Sequence, residues 1–275
     1  MNKKDQGSDN KLPLQQVNRV IRAGEAADKA QADTVITEEA VALVYNGISH
    51  AVMMTTPQDL VDFALGFSLS EGIITKAADL LDCEIYHREN GTEICLTISS
   101  RFFTRLKQQR RTLAGTSGCG LCGVESLAQA FKQPDALPKA PLVDFLSIEK
   151  AVTGFNGEQV LNRQSGGVHG AAFYHNDGEL ALLREDVGRH NALDKLIGAL
   201  AQTDFSAGQG FVLASSRASY EMVYKTISCG INHLVTFSAP TSKAIELARA
   251  GNLNLIGFAR QGRQVVYHSA VEPLS

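Results

Sequence analysis

Five short apolar runs separated by helical stretches most constrain what this chain can fold into. The runs are "GGVHGAAFY", "GELALL", "GFVLASS", "HLVTFS" and "LNLIGFA". Between them lie "RHNALDKLIGALAQ", "ASYEMVYKTISCG" and "PTSKAIELARAG", whose apolar residues recur at helical spacing. Apolar strands alternating with helices bury both by packing the helices on a sheet, so the C-terminal half reads as α/β.

The first half has a different texture. "VALVYNGISHAVMM" sets two apolar runs around Asn46-Gly47, the strongest short hairpin signal. "TTPQDLVDFALGFSLSEG" offers Thr56 as N-cap, Pro57 as first helical residue and Gly72 as stop, which predicts a buried helix. "CEIYHRENGTEICLTI" repeats the hairpin pattern around Asn90-Gly91, and "SSRFFTRLKQQRRTLAG" reads as helical. A linker at "KQPDALPKAPL" carries Pro134, Pro138 and Pro141. The expected division is a flexible polar segment over 1–35, a smaller α+β domain over 36–140, and an α/β domain over 141–275. No internal repeat is visible.

Composition excludes several function classes. A net charge of -3 on 275 residues gives no global field for nucleic acid or an anionic membrane, so an anionic ligand needs a local cluster. No stretch approaches ~18 apolar residues and the N-terminus has no apolar leader, so no membrane association and a cytoplasmic location are expected. Five cysteines, with Cys83, Cys95 and Cys229 isolated, do not suggest a disulfide scaffold.

The remaining two, Cys119 and Cys122, stand three apart in "GTSGCGLCGVESL". Structural zinc needs four N or S ligands, and no second short-spaced Cys or His pair exists, so no zinc is expected. Gly118, Gly120 and Gly123 would leave the sulfurs unshielded. "GVESLAQAF" looks like a helix beginning just after Cys122, whose free N–H groups favour a thiolate. Arg101, Arg105, Lys107, Arg110 and Arg111, crowded upstream, add positive potential or form a solvated helix face. A cysteine in such a setting exchanges disulfides or carries sulfur as a persulfide, and spacing does not choose between them. Thioredoxin-like proteins put C-x-x-C near the start of a small domain, unlike this chain.

Three further constellations lie at strand-to-helix or strand-to-strand junctions. "LLREDVGRHNALDKLIG" gathers Arg184, Glu185, Asp186, Arg189, His190, Asn191, Asp194 and Lys195, where α/β sheets build sites. Capping and surface ion pairing explain it equally well. "ASSRASYEMVYK" offers Ser215 and Ser216 as N-caps, with Arg217 and Tyr220 less easily assigned. "GFARQGRQVVY" places Arg260 and Arg263 at a Gly turn, a grip for phosphate or a hairpin with solvated arginines.

Together these segments resemble the formate dehydrogenase accessory sulfurtransferases, the FdhD family. The likeness rests on "VALVYNGISHAVMMTTPQDLVDFALGFSLSEGII", "RRTLAGTSGCGLCGVESL", "EDVGRHNALDKL", "SSRASYEMVYK" and "LIGFARQGR", in chain order from about residue 38 to 268. The resemblance implies a sulfurtransferase. A cysteine desulfurase would pass sulfur to Cys119 as a persulfide, with Cys122 as partner thiol. The acceptor would be the molybdenum bis(guanine dinucleotide) cofactor destined for formate dehydrogenase. It further implies that Phe258, Ala259, Arg260, Gln261, Gly262 and Arg263 bind that cofactor. The implied fold is a small N-terminal domain with a cytidine-deaminase-like three-layer C-terminal domain. His190 matches a deaminase zinc ligand, but the accompanying cysteine pair is missing. Two guanosines in the cofactor suggest a homodimer. A dithiol oxidoreductase and a non-catalytic cofactor chaperone are the competing readings.

Overall fold

Tight turns organise the first half of the chain. A computed structural model describes residues 3–6, 12–23, 26–112, 134–204 and 207–271. β1 (Lys3–Gln6) is followed by the hairpin β2 (Leu14–Ala23) and β3 (Ala26–Ile36), within the stretch expected as flexible. Asn46 and Gly47, at φ 47° and 82°, join β4 (Glu39–Tyr45) to β5 (Ile48–Thr55). Two successive positive φ values give the turn whose twist matches paired strands. β6 (Leu80–Arg88) and β7 (Gly91–Ile98) form the second hairpin, turning through Glu89 and Asn90. Gly91 is used inside the ladder instead, because a Cβ there would lie 2.4 Å from the Ala40 carbonyl oxygen. Five of these strands form one sheet in the order β1-β6-β7-β4-β5, and β2 and β3 form a separate two-stranded sheet.

Helix α1 (Leu60–Ser70) begins three residues later than Pro57 suggests, with Asp59 at its N-cap position at φ 55°. Thr56 is drawn away from capping: its backbone N–H donates to Asp186 (3.0 Å), and its Oγ1 accepts from the Val187 N–H (3.1 Å). "LVDFALGF" is apolar nearly all round, as a helix covered on several sides must be. One side packs on the first sheet with Leu43, Ile94 and Leu96. α2 (Ser100–Thr112) contributes Leu106 to the same core.

The second half is a six-stranded sheet in the order β13-β12-β11-β10-β8-β9. Its strands are β8 (His169–His175), β9 (Leu180–Asp186), β10 (Gly210–Ala214), β11 (His233–Thr236), β12 (Asn254–Arg260) and β13 (Arg263–His268). β10, β11 and β12 run parallel, and β9 shares their direction because it is antiparallel to β8. Their carboxyl ends meet at one edge. Helices α5 (Arg189–Leu200), α6 (Tyr220–Ser228) and α7 (Ser242–Ala250) cover one face through Leu193, Leu196, Met222, Val223 and Leu247. α3 (Phe145–Glu158) covers the other with Ile148, Val152 and Phe155, and the short α4 (Val160–Ser165) follows. The α/β reading of this half therefore holds. α3 announces itself through Asp144, whose carboxylate accepts from the Leu146 and Ser147 N–H groups.

The proline-rich stretch is stitched down rather than free. Leu137 N–H donates to the Gly251 carbonyl (3.0 Å), and the Asn232 and Asn254 amides donate to the Pro138 and Ala140 carbonyls. Among the described residues, no helix is long and apolar enough to cross a membrane.

The two halves meet where α1 crosses α5. A Cβ on Gly66 would lie 1.7 Å from the Asp194 carbonyl oxygen, and one on Gly198 would lie 1.9 Å from that of Asp62. Both obstacles are backbone, so neither can step aside. Gly198→Ala is expected to destabilise the protein by about 3 kcal/mol, the upper range for overpacking a tight contact. Chemical denaturation measures this, and a loss well below 1 kcal/mol would show the crossing to be looser than described.

Candidate functional site

The carboxyl edge of the six-stranded sheet collects the residues singled out in the sequence and divides them into two sets. The first set is buried. Asp186, fully buried at the end of β9, takes the Lys195 ammonium at 2.6 Å, the Thr56 N–H at 3.0 Å and the Thr55 hydroxyl on one oxygen. Its other oxygen accepts from the Gly188 N–H (2.8 Å) and the Asn191 amide (3.0 Å). Lys195 also donates to the Thr56 carbonyl at 3.0 Å. Burial pushes the Lys195 pKa below its usual value, and Asp186 opposes that shift.

One helical turn further along, Asp194 receives both the Ser70 hydroxyl (2.7 Å) and the Lys225 ammonium (3.0 Å to each oxygen). Glu71 closes this network at 2.9 Å from Lys225. Burial works against the Lys225 charge, but the Asp194 and Glu71 carboxylates outweigh it and keep the ammonium protonated. Glu185 is spent on capping, accepting from the Leu161 and Asn162 N–H groups at the start of α4. Arg184 donates to Asp62 at 2.7 Å. Six of the eight residues in that motif are therefore structural: Glu185 caps α4, and the other five hold α1 and its flanking loops to the second half.

The second set faces outward. His190, at the first turn of α5, lies 2.8 Å from the Glu221 carboxylate and 3.5 Å from the Ser219 hydroxyl. The hydrogen bond from His190 holds the Glu221 carboxyl below its ordinary range. Ser219, not Ser215 or Ser216, caps α6, accepting from the Met222 N–H. Ser215 instead accepts from the Gly170 N–H (3.0 Å) and meets His169 Nδ1 at 3.2 Å. Ser216 donates to the Arg217 carbonyl. Arg217 is exposed, Arg189 and Tyr220 half-buried, and Tyr220 stacks on Tyr224 with ring centroids 6.3 Å apart. His169 and Glu221 were not singled out in the sequence, because each stands alone in an otherwise apolar or capping context.

The β12–β13 turn completes the edge. Phe258 is at φ 49°, a conformation that costs a bulky residue on the order of 1–3 kcal/mol and is kept where the surroundings impose it. It sits where the β12–β13 register shifts, and its N–H donates to the Ser238 carbonyl at 3.3 Å. Phe258 is 38% exposed, whereas Ala259 is buried. The Arg260 guanidinium lies 5.4 Å over the Phe237 ring. Gly262, at φ 73°, donates its N–H to Glu149 at 3.0 Å, and Gln261 and Arg263 are exposed. Among the described residues no carboxylate forms an ion pair with Arg260 or Arg263. Cys119 and Cys122 lie outside the described residues, as does the stretch read as a helix after them. Cys83, Cys95 and Cys229 are not joined in disulfides, and burial pushes the Cys229 thiol pKa up to about 12. Among the described residues, no cluster of three or more His, Cys, Asp or Glu could hold a metal ion.

The protein is of the open α/β class, in which connecting loops at the carboxyl edge of the sheet form the crevice, here beside the strained Phe258 backbone and the Arg260 guanidinium. The particular family is shown by comparison: the chain belongs to the FdhD/NarQ family, which matches residues 36–272. It is similar to the sulfur carrier protein FdhD of Cupriavidus necator, 52% identical over 86% of this chain and 82% of the relative. The sulfur carrier protein FdhD of Acinetobacter baylyi is 50% identical over 86% of each chain. That of Bordetella petrii is 45% identical over 90% of this chain and 89% of its own. A crystal structure from Desulfotalea psychrophila, described as a formate dehydrogenase accessory protein, shares the fold. Its TM-score is 0.74 at 22% identity, covering 93% of this chain and 97% of its own.

Burial, with the nearby Arg189 and His190 charges, holds the His169 pKa below the ordinary 6.5. A histidine so depressed stabilises the fold fully above its unfolded pKa, and that contribution is lost as pH falls below it. Wild-type urea midpoints are expected to drop between about pH 7.5 and pH 5.5, and His169→Gln to show a shallower drop. Equal slopes for the two proteins would remove His169 as a cause.

Proposed function

We propose that this chain is a sulfurtransferase that carries sulfur as a persulfide on Cys119. The observation that carries this reading is the 45–52% identity, over most of the chain, to relatives named sulfur carrier proteins. The donor is a cysteine desulfurase. The Cys119 thiolate attacks the terminal sulfur of the donor's persulfide, the donor's S–S bond breaks, and the donor leaves as a thiolate. Cys122, three residues on, is the partner thiol. A persulfide is more acidic than a thiol, so the cargo sulfur is held as an anion at neutral pH.

The sulfur is delivered to the molybdenum bis(guanine dinucleotide) cofactor, the substrate of the reaction, on its way to formate dehydrogenase. What supports the β12–β13 turn as its seat is chemistry. Arg260 and Arg263 bring guanidinium forks to an edge where a net charge of -3 offers little other attraction for phosphate. The exposed Phe258 ring, fixed by its backbone, gives a flat base a surface to lie on. The layer order, with α5, α6 and α7 on one face of the sheet and α3 on the other, supports the cytidine-deaminase-like reading. At the position matching a deaminase ligand, His190 is engaged by Glu221 and Ser219.

Intact-protein mass spectrometry after incubation with a cysteine desulfurase, pyridoxal phosphate and cysteine tests the carrier step. Wild type is expected to gain one sulfur atom that a reductant removes, and Cys119→Ala to gain none. No gain in wild type beside an active desulfurase would overturn the carrier reading and favour the dithiol alternative, read by turnover of a model disulfide. Arg260→Ala and Arg263→Ala are each expected to weaken guanosine diphosphate binding about tenfold, the loss of one charge-assisted bond. Unchanged affinity in both, by calorimetry, would move the cofactor seat elsewhere.

A further inference from the structure

Helix α2 carries a concentration of charge that neither the fold nor sulfur transfer itself accounts for. Arg101, Arg105, Lys107, Arg110 and Arg111 fall within its 13 residues, and no acid does. The chain as a whole has a net charge of -3, so this helix runs against the balance of the rest. A solvated helix face is ordinarily steadied by mixing the two signs. Like charges at i and i+4, as in Arg101 and Arg105 or Lys107 and Arg111, destabilise a helix instead.

The helix is held by its other side. Leu106 is buried, and the half-buried Phe102 and Phe103 pack on the core of the first sheet. Arg101, Arg105 and Lys107 are exposed. The Arg101 and Arg105 guanidinium groups lie 6.0 and 5.4 Å from the centre of the Phe102 ring, and the Lys107 ammonium lies 4.5 Å from that of Phe103. Arg105 also donates to the Gly72 and Ile73 carbonyls just beyond α1. Contacts of this kind order a cation without neutralising it. Among the described residues, no carboxylate forms an ion pair with these three side chains. The surface is ordered and its charge is uncompensated.

The stretch that follows α2 brings no counter-charge, since residues 113–133 hold one acid, Glu125, and one base, Lys132. Cys119 stands seven residues beyond Thr112, so covalent length alone keeps it within about 25 Å of the helix end. An ordinary protein–protein interface covers about 800 Å² on each partner, a patch roughly 30 Å across. A protein that delivers an atom to Cys119 therefore comes within reach of these charges. We propose that the exposed face of α2, through Arg101, Arg105 and Lys107, is the docking surface for the sulfur-donating protein, which meets it with an acidic surface. The donor's role rests on the carrier reading, whereas the basic surface does not. An extended polyanion would have to cross the rest of a chain of net negative charge, while a folded acidic partner needs only the patch.

Wild type, Arg101→Glu/Lys107→Glu and the control Arg88→Glu/Lys243→Glu would be compared for association with a cysteine desulfurase by biolayer interferometry, without free cysteine. The control makes the same change in net charge at the β6–β7 turn and on α7. The α2 variant is expected to associate about tenfold more slowly at about 20 mM sodium chloride, and the control at the wild-type rate. Wild-type association is expected to slow about tenfold between about 20 and 300 mM salt, as steering by charge is screened. This second arm needs no variant, so it decides the matter if a charge reversal unfolds the protein. No association of wild type, a rate insensitive to salt, or an equal rate in wild type and the α2 variant would overturn the docking surface. An equal loss in the control would do the same, by tracing the effect to net charge. A single-stranded DNA oligonucleotide bound by wild type and not by the α2 variant, with desulfurase association unaffected, would give the patch to nucleic acid instead. Sulfur loading of Cys119 is read separately, so association without loading counts against the carrier reading and not the surface.

Discussion

The Asp186–Lys195 ion pair is the constraint on which the rest of the structure depends. Removing two charges from water costs several kcal/mol per ion, and their mutual attraction offsets this only when the remaining hydrogen-bonding capacity is met. Here it is met. Both Asp186 oxygens are occupied, by Thr55, Thr56 and Lys195 on one side and by Gly188 and Asn191 on the other. The donors come from both halves of the chain. Such a pair adds little net stability over an apolar substitute, so its contribution is register: one alignment of the β5–α1 loop on α5 satisfies every group, and others strand a buried charge. The Gly66–Gly198 contact enforces the same alignment by shape.

That alignment determines which charged residues remain for chemistry. On α5 the residues Asn191, Asp194, Lys195 and Gly198 follow one another at i, i+3, i+4 and i+7, the spacing of an inward-facing stripe. They face α1, and the apolar Leu193, Leu196, Ile197 and Leu200 join the core of the second sheet. Both stripes are consumed by packing. The first turn of the helix is left, and it presents Arg189 and His190 at the edge that also carries Arg217 and Arg260. A motif dense in ionisable groups thus leaves few of them at the rim, where His190 meets the Glu221 carboxylate.

The same stripe explains what was legible in the sequence. Strand and helix alternation in the second half depends on local apolar runs, and every run quoted there became a strand. Asn46-Gly47 was equally local. Thr56 misled because its capping hydroxyl is taken by the Val187 N–H, 131 residues away. Ser215 and Ser216 looked like caps for the same reason, while Ser219, one residue before Tyr220, did the capping. Polar residues at helical spacing read as a reactive cluster when the helix they face is remote in sequence. Phe258 carried no signal at all, since a positive φ on an aromatic residue is set by the bulge and the Ser238 carbonyl. Burial of charge is a tertiary property, and no window of sequence displays it.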